Sequence, residues 1–357
     1  MRVIPVDKVK PGMVIARAVI GSNGEILLSR DVRIDGNYIK RLKEIGIPAL
    51  YIKDENIGKV EYDEVISERT HQEALKVTKD VMSSIRLSSD FDLKKVNKVV
   101  DDLISELLTS KELLVALVDM RAANDLSFSH SVNTAVLSII TGIALGYDPK
   151  KLSQLACGAL FHDIGIIMLP PELLHKKSAL SAEENEHIMK HPVLGFEILR
   201  KKEGVSLLSA HVALQHHEKY DGTGYPWGLA GDEINEFARI VSITAIYDNI
   251  IGLGSDVNKV LPHQAIERLT MKSGKWFDPE ILQVFIRTIA VFPVGVAVLL
   301  NTGETALVTK ANKKFPTRPV VRVFKTRDGA TVHPPFEIDL AKNQSYFIQN
   351  VITDDVS

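Results

Sequence analysis

The stretch that decides the fold of this chain is His216-His-Glu-Lys-Tyr-Asp-Gly-Thr-Gly-Tyr-Pro226. It begins with two adjacent histidines at the end of an apolar segment and continues into a glycine-rich turn. Imidazole is a common ligand for zinc, iron and nickel. The glycines on either side of Thr223 allow positive φ angles and a close approach of the backbone to a ligand. Tyr225 adds a ring for stacking and a hydroxyl for a phosphate or a base edge.

Histidines upstream of this stretch strengthen the case for a metal site. Eight of the 11 histidines lie between positions 130 and 217, namely His130, His162, His175, His187, His191, His211, His216 and His217. His162 and Asp163 stand side by side where an apolar segment ends. A buried unpaired carboxylate is costly. A metal removes that cost, because Asp can bridge two cations while His ligates one.

The positions of three histidines along their predicted helices indicate where their rings lie. His191 precedes Pro192, which suits the first turn of a helix, so its imidazole is expected at a helix start, pointing into a cleft. His216 and His217 are expected at the end of another helix. Neighbouring side chains on a helix diverge by about 100°. Two adjacent histidines therefore suit two positions around a metal cluster, or a metal and its ligand, better than one compact face.

The composition is that of an ordinary globular protein and excludes several classes of partner. The 357 residues are 45% hydrophobic and 25% charged, with a formal net charge of −2. We therefore expect neither a nucleic acid polymer nor a membrane as a partner, and any phosphate site must be local. The single cysteine, Cys157, excludes a disulfide framework, and the N-terminus lacks the apolar core of a signal peptide. These features predict a cytoplasmic protein.

Patterns along the chain predict a mainly α protein with small β-rich domains at both ends. Residues 1–56 predict short strands and hairpins, with a short helix at about Asp35–Glu44. Residues 57–120 carry apolar residues at helical spacing and predict a helical connector, which acts as a spacer or as a signalling coil. Residues 121–290 are helical by pattern, and residues 291–357 return to a strand pattern.

Four segments between about residues 120 and 290 resemble the HD-GYP proteins, a branch of the HD phosphohydrolase superfamily. They are His130-Ser-Val-Asn, His162-Asp-Ile-Gly, His191-Pro-Val-Leu-Gly and the stretch from His216 to Pro226. The last of these is highly specific to the family. The N-terminal β segment is also similar to one that commonly precedes this domain.

The resemblance implies an HD-type helical bundle that holds two divalent metal ions, iron or manganese, and acts on cyclic di-GMP. The ligands carried over by position form two sets that share Asp163. These are His130, His162 and Asp163 for one ion, and Asp163, His191, His216 and His217 for the other. His162 and Asp163 would be the catalytic residues of a metal-assisted hydrolysis. The residues implied for substrate binding are Lys176, Asp221, Gly222, Gly224 and Tyr225.

The chain departs from the family pattern in its metal ligands. The family usually reads Ala-Asp-Val-Phe-Asp-Ala-Leu where this chain reads Thr-Ala-Ile-Tyr-Asp-Asn-Ile, so Ala245 replaces a metal-ligating Asp. Asp248 matches the second family Asp and is expected to reach the site only if its helix is displaced. Leu126 stands where members with three metals carry Glu, which argues against a third ion. The ion near His130 lacks its fourth ligand, so we expect it to bind more weakly.

Groups expected near the phosphates also differ from the family pattern. Ile166 and Ala179 each replace a lysine, whereas Lys176 matches a family lysine. The arginine-bearing stretch that usually follows the second Asp is missing from residues 251–262. Arginine is the usual bidentate clamp for phosphate. We therefore expect cyclic dinucleotide binding to be weakened or directed differently.

Three functions fit these residues. The first is a metal-dependent cyclic di-GMP phosphodiesterase, with activity reduced or altered by Ala245. The second is a catalytically impaired cyclic dinucleotide sensor or protein-interaction module, with protein partners bound by the terminal β domains. The third is hydrolysis of a different nucleotide. A homodimer is a further expectation.

Overall fold

The structure is a computed structural model, and its helices and strands fall in different parts of the chain. It describes residues 1–21, 25–47, 49–53, 65–87, 90–109, 126–174, 176, 180–252, 260–312 and 314–352. The helices are α1 Gly36–Glu44, α2 Glu68–Arg86, α3 Leu93–Thr109, α4 Leu126–Ala144, α5 Pro149–Leu160, α6 Pro171–Leu174, α7 Ala182–Ile188, α8 His191–Leu199, α9 Leu207–Gln215, α10 Glu236–Gly252, α11 Pro262–Thr270 and α12 Pro279–Thr288. The strands are β1 Arg2–Pro5, β2 Val19–Ile20, β3 Ile26–Leu28, β4 Ala49–Ile52, β5 Ala297–Leu300, β6 Thr305–Lys310, β7 Val320–Lys325, β8 Thr331–Asp339 and β9 Ile348–Ile352. The predicted class, mainly α with β-rich ends, is confirmed.

α4 is the central helix of the bundle. Residues 129–142 are buried on every face of this helix, which is the pattern of a helix surrounded by protein. α5, α10, α2 and α12 pack against it. His130 therefore lies inside the bundle, near the start of α4.

α2 and α3 belong to the same hydrophobic core as α4 and α5. Val77 and Val81 of α2, and Val99 and Leu103 of α3, are buried in the cluster that contains the α4 and α5 side chains. The apolar stripe of each helix is wide enough to pack on the bundle instead of spanning solvent. The helices expected between residues 57 and 120 thus complete the bundle, while the division of the chain at 56, 120 and 290 stays a prediction.

The helices that position the site begin and end at residues with clear capping chemistry. Asp148 caps α5 by accepting a hydrogen bond from the Lys151 amide at 2.8 Å, and Pro149 occupies the first turn. α8 begins at His191 with Pro192 in its first turn, as the sequence predicts. α9 ends with His216 as its C-cap. The expected helix near the N-terminus is α1, where Asp35 caps the Asn37 and Tyr38 amides.

Strands form small antiparallel sheets at both ends of the chain. β1 pairs with β4 and β2 with β3, while the C-terminal sheet has the order β8-β7-β6-β5-β9. The Val3 amide donates a hydrogen bond to the Gly295 carbonyl at 2.9 Å, so the first strand touches the turn that precedes β5. The expected turn at residues 22–24 lies outside the described residues. None of the described helices combines the length and the apolar character that crossing a bilayer requires.

Candidate metal centre

The structure brings together the six side chains that the sequence suggested as metal ligands. They come from the start of α4, the turn after α5, the start of α8 and the end of α9. Two groups result, Asp163 with His191, His216 and His217, and Asp163 with His130 and His162. Within each group the ligand atoms all lie within 4.8 Å of one another. Asp163 is common to both groups, as expected for a residue that bridges two ions.

Glycines allow the segment after Asp163 to lie directly on α8. A Cβ on Gly165 would collide with the His191 carbonyl oxygen and would lie 2.6 Å from the Gly195 nitrogen. No side chain larger than hydrogen fits at this crossing, because real Cβ atoms do not approach backbone so closely. The glycine of the His-Asp-Ile-Gly segment therefore fixes Asp163 beside the start of α8.

Three of the histidines use Nδ1 for hydrogen bonds to backbone carbonyls and leave Nε2 for the cluster. Nδ1 lies 2.8 Å from the Ala159 carbonyl oxygen in His162 and 2.7 Å from the Ile188 carbonyl oxygen in His191. Nδ1 of His216 lies 3.0 Å from the Ala213 carbonyl oxygen. A carbonyl can only accept, so each Nδ1 carries the proton and each Nε2 presents a lone pair. Such bonds set the tautomer and ring orientation of metal-binding histidines.

In His130, a carboxylate takes the place of the carbonyl. Nδ1 lies 2.6 Å from Oδ2 of Asp248, and Nδ2 of Asn133 donates to Oδ1 of the same carboxylate at 3.1 Å. Asp248 belongs to neither donor group, and its fully buried carboxylate instead reaches His130, because α10 packs directly on α4. Sequence reasoning missed this role. The signal available was Asn133, one turn after His130, as a second donor on the same face.

Lone pairs converge at the centre of both groups, as they do around a cation. Nε2 of His191 and Nε2 of His216 lie 3.3 Å apart, and they are 3.3 Å and 3.2 Å from Oδ1 of Asp163. Nε2 of His162 lies 3.4 Å from Oδ2 of Asp163. Nε2 of His130 is buried and finds no hydrogen-bond partner among the described residues. These donors therefore fit divalent metal ions, for which imidazole and carboxylate are suitable ligands.

The protonation states of the site also suit metal binding. Burial lowers the pKa of His162 to about 3, and it lowers the pKa of His216 and His217. Burial disfavours the ionised form of Asp163, but the neighbouring imidazoles outweigh this and hold its pKa well below the usual value. The site therefore offers neutral imidazoles and a charged carboxylate, the forms that bind metal.

The two donor groups are unequal, and Ala245 stands where the family resemblance leads us to expect a further ligand. Ala245 lies on α10, three residues before Asp248, and is only 5% exposed. The group with His191 has four donors, whereas the group with His130 has three. His216 and His217 both contribute to the larger group, with ring centroids 4.1 Å apart. Both rings contribute to the same group although they are adjacent in sequence, because α9 ends at Gln215 and the chain turns there.

The loop after these histidines is shaped by contacts with its own backbone. A Cβ on Gly224 would lie 2.5 Å from the Glu218 Cα and 2.6 Å from the His217 carbonyl oxygen. Gly222 has a φ of 80°. Oδ1 of Asp221 accepts from the amide and the hydroxyl of Thr223, at 3.0 Å and 2.6 Å. The close approach predicted for these glycines is thus to the chain itself, and Asp221 holds a turn.

Two side chains connect this loop to the metal ligands. The Tyr225 ring is stacked on the His217 ring, with centroids 4.6 Å apart and planes 15° apart. Glu218 is only 2% exposed and accepts hydrogen bonds from the amides of Trp227 at 2.8 Å and Leu229 at 3.1 Å. Sequence reasoning did not assign a role to Glu218. The signal in the sequence was the charge of Glu218, because a buried carboxylate beside two metal-binding histidines needs hydrogen-bond donors.

The remaining predicted substrate residue, Lys176, is held in an ion pair. Nζ of Lys176 is paired with both carboxylate oxygens of Glu184, at 2.7 Å and 2.6 Å, so its charge is already balanced. Ile166 is half-buried in the 3-10 helix that follows Asp163. Ala179, His175 and residues 253–259 lie outside the described residues, as does the Leu126 side chain.

Known proteins share this combination of segments. Residues 112–281 match the model of the HD domain family, and residues 297–355 match that of a KOW domain associated with HD domains. The cyclic di-GMP phosphodiesterase PA4108 of Pseudomonas aeruginosa is 28% identical over 257 residues, which are 72% of this chain and 62% of the relative. The chain carries an HD domain, and these matches support its place in the HD-GYP family. Cyclic di-GMP phosphodiesterase PdeB of Borreliella burgdorferi is 32% identical to this HD-GYP protein over 195 residues, 54% of this chain and 50% of PdeB.

Further relatives of this HD-GYP chain carry other names. The 3'3'-cGAMP-specific phosphodiesterase 2 of Vibrio cholerae is 26% identical over 246 residues, 68% of this chain and 46% of that protein. The solved structure of Bd1817, an HD-GYP-type protein of Bdellovibrio bacteriovorus, aligns with 80% of this chain and 97% of its own, with 21% identity and a TM-score of 0.49. The chain spans between 46% and 62% of the length of the three curated relatives described.

Proposed function

We propose that this chain is a metal-dependent phosphodiesterase of the HD-GYP type that acts on a cyclic dinucleotide, cyclic di-GMP in the first place. The observation that carries the proposal is the pair of donor groups that share Asp163. Two ions held by one carboxylate suit the displacement of a group at phosphorus. The names of the curated relatives support a cyclic dinucleotide as the substrate.

Two ions, iron or manganese, would be held by the two groups around Asp163. When bound, they supply an activated water and stabilise the negative charge that builds up on the phosphate. His162 and Asp163 are the catalytic residues in this proposal, since they lie where the two groups meet. The hydrogen bonds to Nδ1 keep the histidine rings in place, and the low pKa of Asp163 keeps its charge at neutral pH.

The loop from Asp221 to Tyr225 would form a wall of the dinucleotide pocket. Gly222, Gly224 and Asp221 serve this role by shaping the loop, and Tyr225 by presenting its ring and hydroxyl beside His217. Burial, together with the charge of Asp163, raises the pKa of Tyr225, so its hydroxyl stays a hydrogen-bond donor. Lys176 would reach a phosphate only by leaving Glu184.

Loading the purified protein with iron(II) or manganese(II) and following cyclic di-GMP tests the proposal. We expect conversion to the linear dinucleotide or to GMP, and loss of this activity in Asp163→Asn, which weakens both donor groups at once. Asp232→Asn serves as the control, because the Asp232 carboxylate is exposed and lies in the segment before α10. Absence of turnover with either metal at high protein concentration would contradict the proposal.

A second candidate function is a catalytically impaired sensor of cyclic dinucleotides, or an interaction module. It is favoured by Ala245, which leaves one donor group with three ligands. Calorimetry distinguishes the two functions, because a sensor binds cyclic di-GMP without hydrolysing it. Hydrolysis gained in Ala245→Asp would support the view that the site has degenerated. Hydrolysis of another nucleotide, the third option, would show in a screen of cyclic dinucleotides.

The division into four segments, the protein partners of the terminal β domains and a homodimer remain proposals. The five-stranded sheet formed by residues 297–352 offers a surface for such a partner. Size-exclusion chromatography with light scattering tests the dimer. A mass of one chain at every protein concentration would exclude it.

A further inference from the structure

The two tryptophans of the chain have opposite surroundings. Trp276 is half-buried, with Nζ of Lys219 and Nζ of Lys272 at 4.7 Å and 4.5 Å from its ring centre. Trp227 is 60% exposed. A large exposed aromatic ring is a common feature of surfaces that bind a ligand or a partner.

The backbone beneath Trp227 is firmly held. Its amide donates to Oε1 of the buried Glu218 at 2.8 Å, and the Leu229 amide donates to Oε2 at 3.1 Å. Asp221 and Ala230 form an antiparallel bridge at the base of the same loop. An exposed side chain on a fixed backbone loses little conformational entropy when it binds, because tryptophan has only two side-chain torsions.

Trp227 is also close to the candidate metal centre. The Tyr225 ring covers the ring of His217, and the Tyr225 amide donates to the His217 carbonyl at 3.3 Å. Trp227 follows Tyr225 by two residues, which span at most about 7 Å of chain. The backbone of Trp227 therefore lies near the candidate metal centre, on the same loop as the ring that stacks on His217.

The segment that follows Asp163 carries apolar side chains instead of charge. Ile166 and Ile167 are half-buried, and Met168 is 54% exposed. The one lysine predicted to bind phosphate, Lys176, is paired with Glu184. A dinucleotide would therefore depend less on cations for its phosphates and more on apolar contact for its bases.

We infer that Trp227 is the base-stacking residue of this site, with a purine base of the cyclic dinucleotide lying on its indole. This inference rests on the proposed function. Stacking of a base on an aromatic side chain is sequence-tolerant, since every base has a flat π-face. Trp227 would thus set affinity for a ligand that carries bases, without touching the metal ions.

Binding measurements on the full, manganese-loaded chain test the inference. The ligand is the phosphorothioate analogue of cyclic di-GMP, which resists hydrolysis, and inorganic phosphate serves as a probe of the metal centre alone. We expect Trp227→Leu to bind the analogue about tenfold more weakly, the size of effect typical of losing one stacked base. Trp227→Phe keeps a ring and should retain most of the affinity. Phosphate affinity should be the same in all three proteins.

A second readout uses fluorescence. In Trp276→Phe, Trp227 is the only tryptophan, and its emission should be quenched or shifted by the analogue but not by phosphate. In the binding measurement, Phe336→Leu is the matched control for Trp227→Leu and should bind the analogue like the wild type. Phe336 is a similarly exposed aromatic residue, on β8 of the C-terminal sheet.

Each contrary result has its own meaning. If the wild type binds the analogue and Trp227→Leu binds it equally well, the stacking role is wrong and the proposed function stands. If Trp227→Leu loses affinity for analogue and phosphate alike, Trp227 acts on the loop structure and the stacking role is also wrong. If the wild type binds no cyclic dinucleotide, the proposed function fails and this inference fails with it.

Discussion

Oδ2 of Asp248 lies 2.6 Å from Nδ1 of His130, inside the contact between α10 and α4. The second oxygen of the same carboxylate accepts from Asn133. The Asp248 side chain on α10 therefore accepts hydrogen bonds from two residues of α4. It also directs Nε2 of His130 towards the metal-ligand group that His130 forms with His162 and Asp163. A carboxylate in this position also increases the basicity of the ring as a ligand.

Replacing Asp248 by Asn should weaken the binding of one metal ion much more than that of the other. An amide has a single acceptor oxygen, so either His130 or Asn133 loses its partner, at a cost of about 1–3 kcal/mol in the free energy of unfolding. Changes of this kind typically reduce metal affinity about 10- to 100-fold. Elemental analysis after dialysis against limiting manganese should show one ion lost per chain. Equal loss of both ions, or of neither, would contradict the assignment.

Ala245→Asp should change how stability depends on metal. The new carboxylate is buried, so without metal it destabilises the fold unless it is protonated. With manganese it adds a fourth donor to the smaller group and raises the melting temperature by mass action. Melting curves with chelator and with metal should therefore shift in opposite directions relative to the wild type. Ala245→Asn has a side chain of similar size without the charge. It should destabilise the metal-free protein less and should lack most of the rise in melting temperature with manganese.

Gly165→Ala should destabilise the protein strongly and reduce metal binding. The new methyl group collides with the His191 carbonyl, so α8 must move away from Asp163. Overpacking of this kind costs about 1–3 kcal/mol or more in the free energy of unfolding. Gly36→Ala is the control, since a Cβ there meets nothing within 4 Å. Urea unfolding of both variants gives the comparison, and a neutral Gly165→Ala would show that the crossing is less tight than described.

The metal-free protein should lose stability as the pH falls below about 6.5. The pKa of His162 drops from 6.5 to about 3 on burial, so the folded state resists protonation where the unfolded state accepts it. His216 and His217 shift in the same direction. The unfolded state then binds more protons, and stability falls towards pH 3 by up to about 1.4 kcal/mol per pH unit for each histidine. Urea unfolding with chelator at pH 7.5, 6.0 and 5.0 measures this.

The control for the pH series is His187→Asn, because His187 is exposed and belongs to neither donor group. Its unfolding should follow the same pH profile as the wild type. A profile that stays flat between pH 7.5 and 5.0 would contradict the prediction, because it would mean that the histidines take up protons equally in the folded and unfolded states.

The sequence predicted those parts of the protein that depend on local pattern. The start of α8 at His191 follows from the fixed φ of Pro192, and the metal ligands follow from the resemblance to a highly specific motif. The role of Asp248 did not follow, because it depends on how two helices 118 residues apart pack together. The meaning of Gly224 was also missed, since a close approach of backbone to backbone looks the same in sequence as an approach of backbone to ligand.

Asp163 gives one oxygen to each donor group, with Oδ2 beside His162 and Oδ1 beside His191 and His216. With a cation in each group, a single negative charge would be shared between the two. The first cation to arrive uses part of this charge and repels the second, so the two binding events are linked and the linkage is reciprocal. A metal ion at the weaker position would then lower the affinity of the stronger position. Metal titrations should therefore be anticooperative, with two resolved steps instead of one.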